Sequence, residues 1–296
     1  VVLKKKWRII LMNKKDVLRN ALVEAQYELD YKKPFRYSPE IVGVYLAGSR
    51  LINTNLEDSD WDIIVVYAPT PKQIYDGKRK GYKSSFHNSD GTKVEVKFVD
   101  VRDYLQGLKL SKIEPLRMAC ASEKNKVFPE TKKLSIYGQN VKYFIQYFLS
   151  SGRYFILANP KTFFYSVKGQ TKALIKDANK MSEASKYGES VKDSTRALEL
   201  VRVLKLVGMT GDINDVMYGY YSPDYVEARE NANNILAEVF ASQVEKELRS
   251  VEESDLESKF EELHVKNYNR GLEIHKDLEE DLMDTMFCQP NRGLLF

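Results

Sequence analysis

Ile41-Val42-Gly43-Val44-Tyr45-Leu46-Ala47-Gly48-Ser49-Arg50 runs into a polar loop and then into Asp58-Ser59-Asp60-Trp61-Asp62-Ile63-Ile64-Val65-Val66. Residues 41–47 are short, apolar and rich in β-branched side chains, which predicts a buried strand that Gly48-Ser49 ends abruptly. Asn53, Asn55, Glu57 and Asp58 have loop chemistry, and Asp62 to Tyr67 begins a second apolar strand. Asp60 and Asp62 are two apart on extended backbone, so their side chains share a face. Two carboxylates converging beside a Gly-Ser turn suit a divalent metal and a phosphate. All the obvious ligands are hard oxygens, so magnesium is the expected metal.

A third acid lies further along. Lys93, Glu95 and Lys97 alternate with Val94, Val96 and Phe98, the period of a strand with one face in the core. An edge strand with a solvated face would read the same way. Next to the Asp-x-Asp strand, Glu95 becomes the expected third ligand.

Gly-Ser, then Asp-x-Asp, then an acid on a later strand resembles the polymerase-beta superfamily of nucleotidyltransferases. Ala47-Gly48-Ser49-Arg50 followed by Glu57-Asp58-Ser59-Asp60-Trp61-Asp62 is most similar to its bacterial and phage group called "predicted nucleotidyltransferase". Two later stretches also resemble that group. Val96 to Leu108 with Lys112-Ile-Glu-Pro-Leu-Arg-Met118 is similar to its strand, short helix and helix start. Arg196-Ala-Leu-Glu-Leu-Val-Arg202 is similar to its "His-x-x-Arg-Leu" helix, with Glu199 where a histidine is expected. The resemblance covers residues 41–118, thins out to 207 and ends there. It implies a metal-dependent nucleotidyltransferase moving a nucleoside monophosphate from a triphosphate, such as ATP, to an acceptor hydroxyl, releasing pyrophosphate. Asp60, Asp62 and Glu95 would hold two Mg²⁺, or Mn²⁺, and carry catalysis. Gly48 and Ser49 would hold the triphosphate, with Arg50 and Lys97 as further phosphate contacts.

The rest of the chain sets limits on this expectation. With 296 residues, 43% hydrophobic and 30% charged, it has the composition of a soluble protein able to bury one large core or two modest ones. Runs such as Trp7 to Met12 and Ile63 to Tyr67 are too short to span a bilayer, so no membrane partner is expected. Nothing resembles a signal peptide, and Met12 stands directly before a helix start, so residues 1–11 read as an upstream extension. Cys120 and Cys288 lie far apart, which fits a reducing cytoplasm rather than a disulfide framework. His87, His264 and His275 lack the spacing of structural zinc ligands.

Charge is unevenly spread. Residues 1–33 hold nine Lys or Arg against four acids, and residues 245–262 hold eight acids against three bases. Lys78 to Lys83 and the Lys168, Lys172, Lys176 series add basic surface that could flank the cleft, so a tRNA or other RNA end is the expected acceptor. Protein hydroxyls and small molecules also suit the superfamily, and a non-catalytic partner-binding protein on the same fold is the alternative. In chain order, Asn13 caps a helix with Val17, Leu18, Ala21, Leu22, Ala25 and Leu29 inward. Asp100 caps another, and Ser111-Lys-Ile-Glu114 reads as a capping box. Beyond 136 the periodicity is helical, including a helix at 190–207, a long one at 225–248 and an acidic segment after it. The expected fold class is α+β: a nucleotidyltransferase domain with a mixed sheet at 1–135 (core 41–100), then a mostly helical domain at 136–296.

Overall fold

The structure, a computed structural model, describes residues 13–31, 39–52, 55–56, 59–77, 81–88, 90–150, 159–217, 223–266 and 280. Helix α1 (Lys14–Tyr31) comes first, with Asn13 Oδ1 accepting from Lys15 N at 3.2 Å and the expected apolar stripe buried except for Leu22, which is partly buried. Then follow β1 (Glu40–Leu46), the single turn α2 (Gly48–Leu51), β2 (Trp61–Ala68), α3 (Pro71–Tyr75), β3 (Tyr82–His87) and β4 (Lys93–Asp100). Helices α4 (Val101–Lys109) and α5 (Ile113–Cys120) and the short β5 (Lys126–Val127) complete the N-terminal part. The strands form one mixed sheet in the order β3-β4-β2-β1-β5. Only β2 and β4 run parallel.

Alternation along each strand divides the side chains between two cores. Ile41, Val44, Leu46, Ile63, Val65, Val94, Val96 and Phe98 pack on the face covered by α1. Val42, Tyr45, Ile64 and Val66 point the other way, into a cluster shared with the later helices. The alternation in β1 slips by one residue because its register with β2 shifts between Ile41 and Gly43. Gly43 makes room there: a Cβ on it would come 2.8 Å from the ring of Tyr45.

The C-terminal region is helical: α6 (Ile136–Ser150), α7 (Pro160–Glu183), α8 (Tyr187–Thr210), α9 (Pro223–Glu230) and α10 (Asn234–Glu252), with residues 256–266 again helical. Helix α8 is the hub. Its Val201, Val203, Leu204 and Val207 join Phe163 and Phe164 of α7, Val251 of α10 and Phe260 in the cluster that continues to the sheet. At Gly208 the fit is tight, since a Cβ would come 2.4 Å from Leu256 Cδ1. The chain leaves α8 through Gly211 in the left-handed conformation, φ 67.

Several expectations change. The long helix expected at 225–248 is two helices, because Asn233 interrupts it and caps α10, its side chain accepting from Leu236 N at 3.0 Å. Ser111 is not a cap. It takes φ 51 in the turn that closes α4, where Lys112 N donates to Gly107 O, and Lys112 becomes the N-cap of α5. Strands β3 and β5 were not expected. The basic residues 78–80, Cys288 and the acids at 279 and 281 lie outside the described residues. Asp100 does cap α4, accepting from Arg102 N at 2.9 Å. No helix among the described residues is long and apolar enough to cross a membrane.

Candidate active site

The site begins where β1 ends. Ala47 N donates to Asp62 O at 2.8 Å, tying the last residue before the Gly-Ser turn to the start of β2. Gly48 then takes φ +61, and a Cβ on it would lie 1.9 Å from Asp62 Oδ2. Only glycine allows the turn to stand this close to that carboxylate.

Register supplies the neighbours. Asp62 lies opposite Glu95, and Glu95 opposite Ser85, so one row crosses β2, β4 and β3. The next row is Ile64, Lys97 and Lys83. In-register residues share a sheet face, here the one turned toward the helical region. A cleft of about 480 Å³ opens over these rows, lined by Gly48, Asp62, Lys83, Glu95, Lys97 and, from α8, Arg196. Burial pushes the Asp62 carboxyl above its ordinary pKa, Arg196 opposes the shift, and Glu95 and Asp60 add to it.

Asp60 precedes β2 and is more exposed, with Oδ2 3.7 Å from Lys93 Nζ. Lys93 also donates to Glu95 Oε1, and this hydrogen bond holds the Glu95 carboxyl below its ordinary pKa. Three carboxylates of this kind suit a hard divalent cation by chemistry. Among the described residues, however, no three acid, imidazole or thiolate side chains gather closely enough to hold a metal ion. The Lys93 ammonium is the group lying against two of the three.

Two of the expected phosphate contacts have partners within the chain. Arg50 turns back over its own loop: Nε donates to Ser59 O and Asp60 O, both at 3.2 Å, and the guanidinium lies 4.2 Å from the centroid of the Trp61 ring. It therefore holds the backbone that presents Asp60 and Asp62. Lys97 does line the cleft, but its ammonium is paired with Glu114 of α5. Ser49 lines a second cavity of about 270 Å³ that shares Gly48 and Arg196 with the first. Its walls combine Ile52, Ile113, Met118, Leu174 and Leu200 with the neutral Gln170 and the charged Glu114, Arg117 and Glu199.

Sequence reasoning treated Arg196 and Glu199 as polar positions of a helix and gave Arg117 no role. Arg196, Glu199 and Leu200 are spaced i, i+3, i+4, so α8 presents them together to the second cavity. Glu199 is 2% exposed and paired with Arg117, whose Nε also donates to Val216 O at 2.8 Å. Burial pushes the Glu199 carboxyl up, with Arg117 opposing. The signal was present in the polar residues of the apolar 196–202 stretch. The basic series on α7 does not face the cleft: Lys168 and Lys172 both reach Glu252, at 3.5 and 2.8 Å. Gln170 and Leu174 line the cavity instead, and two residues along a helix is about 200° around it. Cys120 is inert, its thiol pushed up to about 12 by burial.

A nucleotidyltransferase-like protein from Exiguobacterium sibiricum 255-15 is similar across 90% of this chain and 78% of its own, at 12% identity and a TM-score of 0.27. No curated protein matches the chain. The model of the nucleotidyltransferase domain family matches residues 10–134, the segment that carries the whole sheet, the Gly-Ser turn and all three acids. Residues 10–134 are thus a nucleotidyltransferase domain of the polymerase-beta-like type.

Proposed function

We propose that the chain moves a nucleoside monophosphate from a nucleoside triphosphate to an acceptor hydroxyl and releases pyrophosphate. The observation that carries this reading is Asp62. It is pressed against Gly48 of the turn, faced across the sheet by Glu95 and overlooked by Arg196 from the helical region. Partly buried carboxylates beside a guanidinium and a glycine turn answer a phosphate that must be held and attacked. Residues 1–135 act in this reading as the catalytic unit, and residues 136–296 as the helical unit that closes the site through α8.

The roles follow from position. Gly48 and Arg196 line both cavities and Ser49 the second, and they bind the triphosphate. Lys97 joins them by exchanging Glu114 for phosphate, an exchange that costs little because both side chains are nearly half exposed. The apolar side of the second cavity, Ile52, Ile113, Met118, Leu174 and Leu200, takes the base, with Gln170 as a neutral hydrogen-bonding group. The acceptor oxygen approaches from the Glu95 side and bonds to the α-phosphorus, as the bond from that phosphorus to the bridging oxygen of pyrophosphate breaks. Mg²⁺ or Mn²⁺, held by Asp60, Asp62 and Glu95, would supply acidity at the acceptor hydroxyl and charge neutralisation at the leaving pyrophosphate.

An RNA end remains the favoured acceptor, on the strength of Lys83 in the cleft and the basic N-terminal sequence. The Lys168–Lys172 series gives it no support. The test of nucleotide use is a thermal shift with each of the four NTPs and Mg²⁺ on wild type, Asp62→Asn and Arg196→Ala. At least one NTP should stabilise wild type, by about 2.7 kcal/mol at a hundredfold excess over Kd. Arg196→Ala should lose most of that gain with its own fold intact. No shift with any NTP in wild type would overturn the reading.

A further inference from the structure

The two lysines of β4 that flank Glu95 have different partners. Lys97 goes to Glu114, on the far side of the cleft. Lys93 goes to the acids: its Nζ hydrogen-bonds Glu95 Oε1 and lies 3.7 Å from Asp60 Oδ2. The sheet forces this meeting. Residues 93 and 95 are two apart on one strand and share a face. Trp61 of β2 pairs with Val94, so Asp60, one residue earlier, comes level with Lys93.

We propose that Lys93 is a tethered counter-ion of the metal-binding carboxylates, which must swing away before a divalent cation can bind. The inference rests on the proposed nucleotidyl transfer, since it takes Asp60, Asp62 and Glu95 as the ligand set. One ammonium lies against two of those three ligands, so ammonium and divalent cation compete for the same oxygens. The side chain is able to leave: it is 40% exposed, carried on a flexible four-carbon stem, and bound to acids that are themselves exposed to 47% and 42%. The contact therefore weakens metal binding only modestly. It also spares the metal-free protein the repulsion of bare carboxylates around the half-buried Asp62.

Direct Mn²⁺ titration tests this, with free Mn²⁺ read by electron paramagnetic resonance and no nucleotide present. The proteins are wild type, Lys93→Ala, Lys93→Met, Lys93→Arg, Lys83→Ala and Asp62→Asn. Lys93→Ala and Lys93→Met should bind Mn²⁺ roughly three- to tenfold more tightly than wild type, the range expected on removing two half-exposed ion-pair contacts. Lys93→Arg, which keeps the charge, should bind no more tightly. Lys83→Ala should change affinity less than Lys93→Ala, because Lys83 lies opposite Lys97 rather than Glu95. Without metal, Lys93→Ala should melt below wild type, and saturating Mn²⁺ should close the gap. Equal or weaker Mn²⁺ binding by both Lys93→Ala and Lys93→Met, beside clear binding by wild type, overturns the Lys93 assignment alone. If wild type binds no more Mn²⁺ than Asp62→Asn, the metal reading of the site falls, and this inference with it.

Discussion

At the scale of single residues, the site depends on Gly48. Any side chain there meets a positive φ and a carboxylate oxygen 1.9 Å away, so Gly48→Ala must move either the turn or Asp62. We expect it to cost about 1–3 kcal/mol of stability, read from urea midpoints, and to abolish the NTP-dependent thermal shift. Asp62 carries a pH signature. Its raised pKa, due first to burial, means that the folded state binds this proton more tightly than the unfolded chain. The metal-free protein therefore gains stability from this group as pH falls through the raised value, and loses that gain as pH rises above it. Asp62→Asn should raise the melting temperature at neutral pH and flatten its dependence on mild acidity; a lower melting temperature at neutral pH would make Asp62 a structural residue. These residues were legible because Gly-Ser and Asp-x-Asp are local patterns whose spacing already fixes the side-chain face. The partners of Arg50 were not legible, for the opposite reason. Nothing in sequence shows that its guanidinium turns back to Ser59 O and the Trp61 ring.

At the scale of elements, α8 joins the two regions through a buried ion pair. Glu199 and Arg117 come from α8 and α5, with side chains 3% and 15% exposed. Breaking such a pair leaves an uncompensated charge, so Glu199→Leu or Arg117→Met alone should cost about 3–5 kcal/mol. The double variant should recover much of the loss, and a double variant as unstable as the worse single one would contradict the pairing. Further out, Lys205 joins α8 to Glu247 of α10, and this hydrogen bond holds the Glu247 carboxyl below its ordinary pKa. That contribution is present at neutral pH and disappears as pH falls through the carboxylate range. Glu247→Gln should cost ~0.5 kcal/mol at pH 7 and progressively less as pH falls through the carboxylate range. The strands 41–47, 62–67 and 92–99 could be read from period and β-branching. Strand β3 could not, because Tyr82, Ser84 and Phe86 alternate with Lys83, Ser85 and His87 at mixed polarity, so the edge position blurs the pattern. The break at Asn233 was legible in principle, as Asn is a preferred N-cap, but the apolar spacing on either side suggested one continuous helix.

At the scale of the whole molecule, one buried cluster runs from Val42 in the sheet to Phe260 near the end of the described chain, so the helical region is part of the site's scaffold. The strands of the candidate site and the helix at 190–207 were legible in sequence, whereas the place of that helix beside the cleft was not, because it depends on contacts more than eighty residues apart, such as Arg117 with Glu199. The same packing turns Lys168 and Lys172 to Glu252. Charge reversal at Lys172 should therefore lower the melting temperature while leaving NTP binding intact; lost NTP binding would put α7's basic face in the site after all. The fate of the phosphates tests nucleotidyl transfer itself. The protein should be incubated with Mg²⁺, total RNA and NTPs labelled in parallel at the α- or γ-phosphate. The α-label should enter the acceptor and the γ-label appear only in pyrophosphate, with neither product from Asp62→Asn. Release of orthophosphate from the γ-label, or NTP binding that never yields pyrophosphate with RNA, protein or small-molecule fractions, would contradict nucleotidyl transfer.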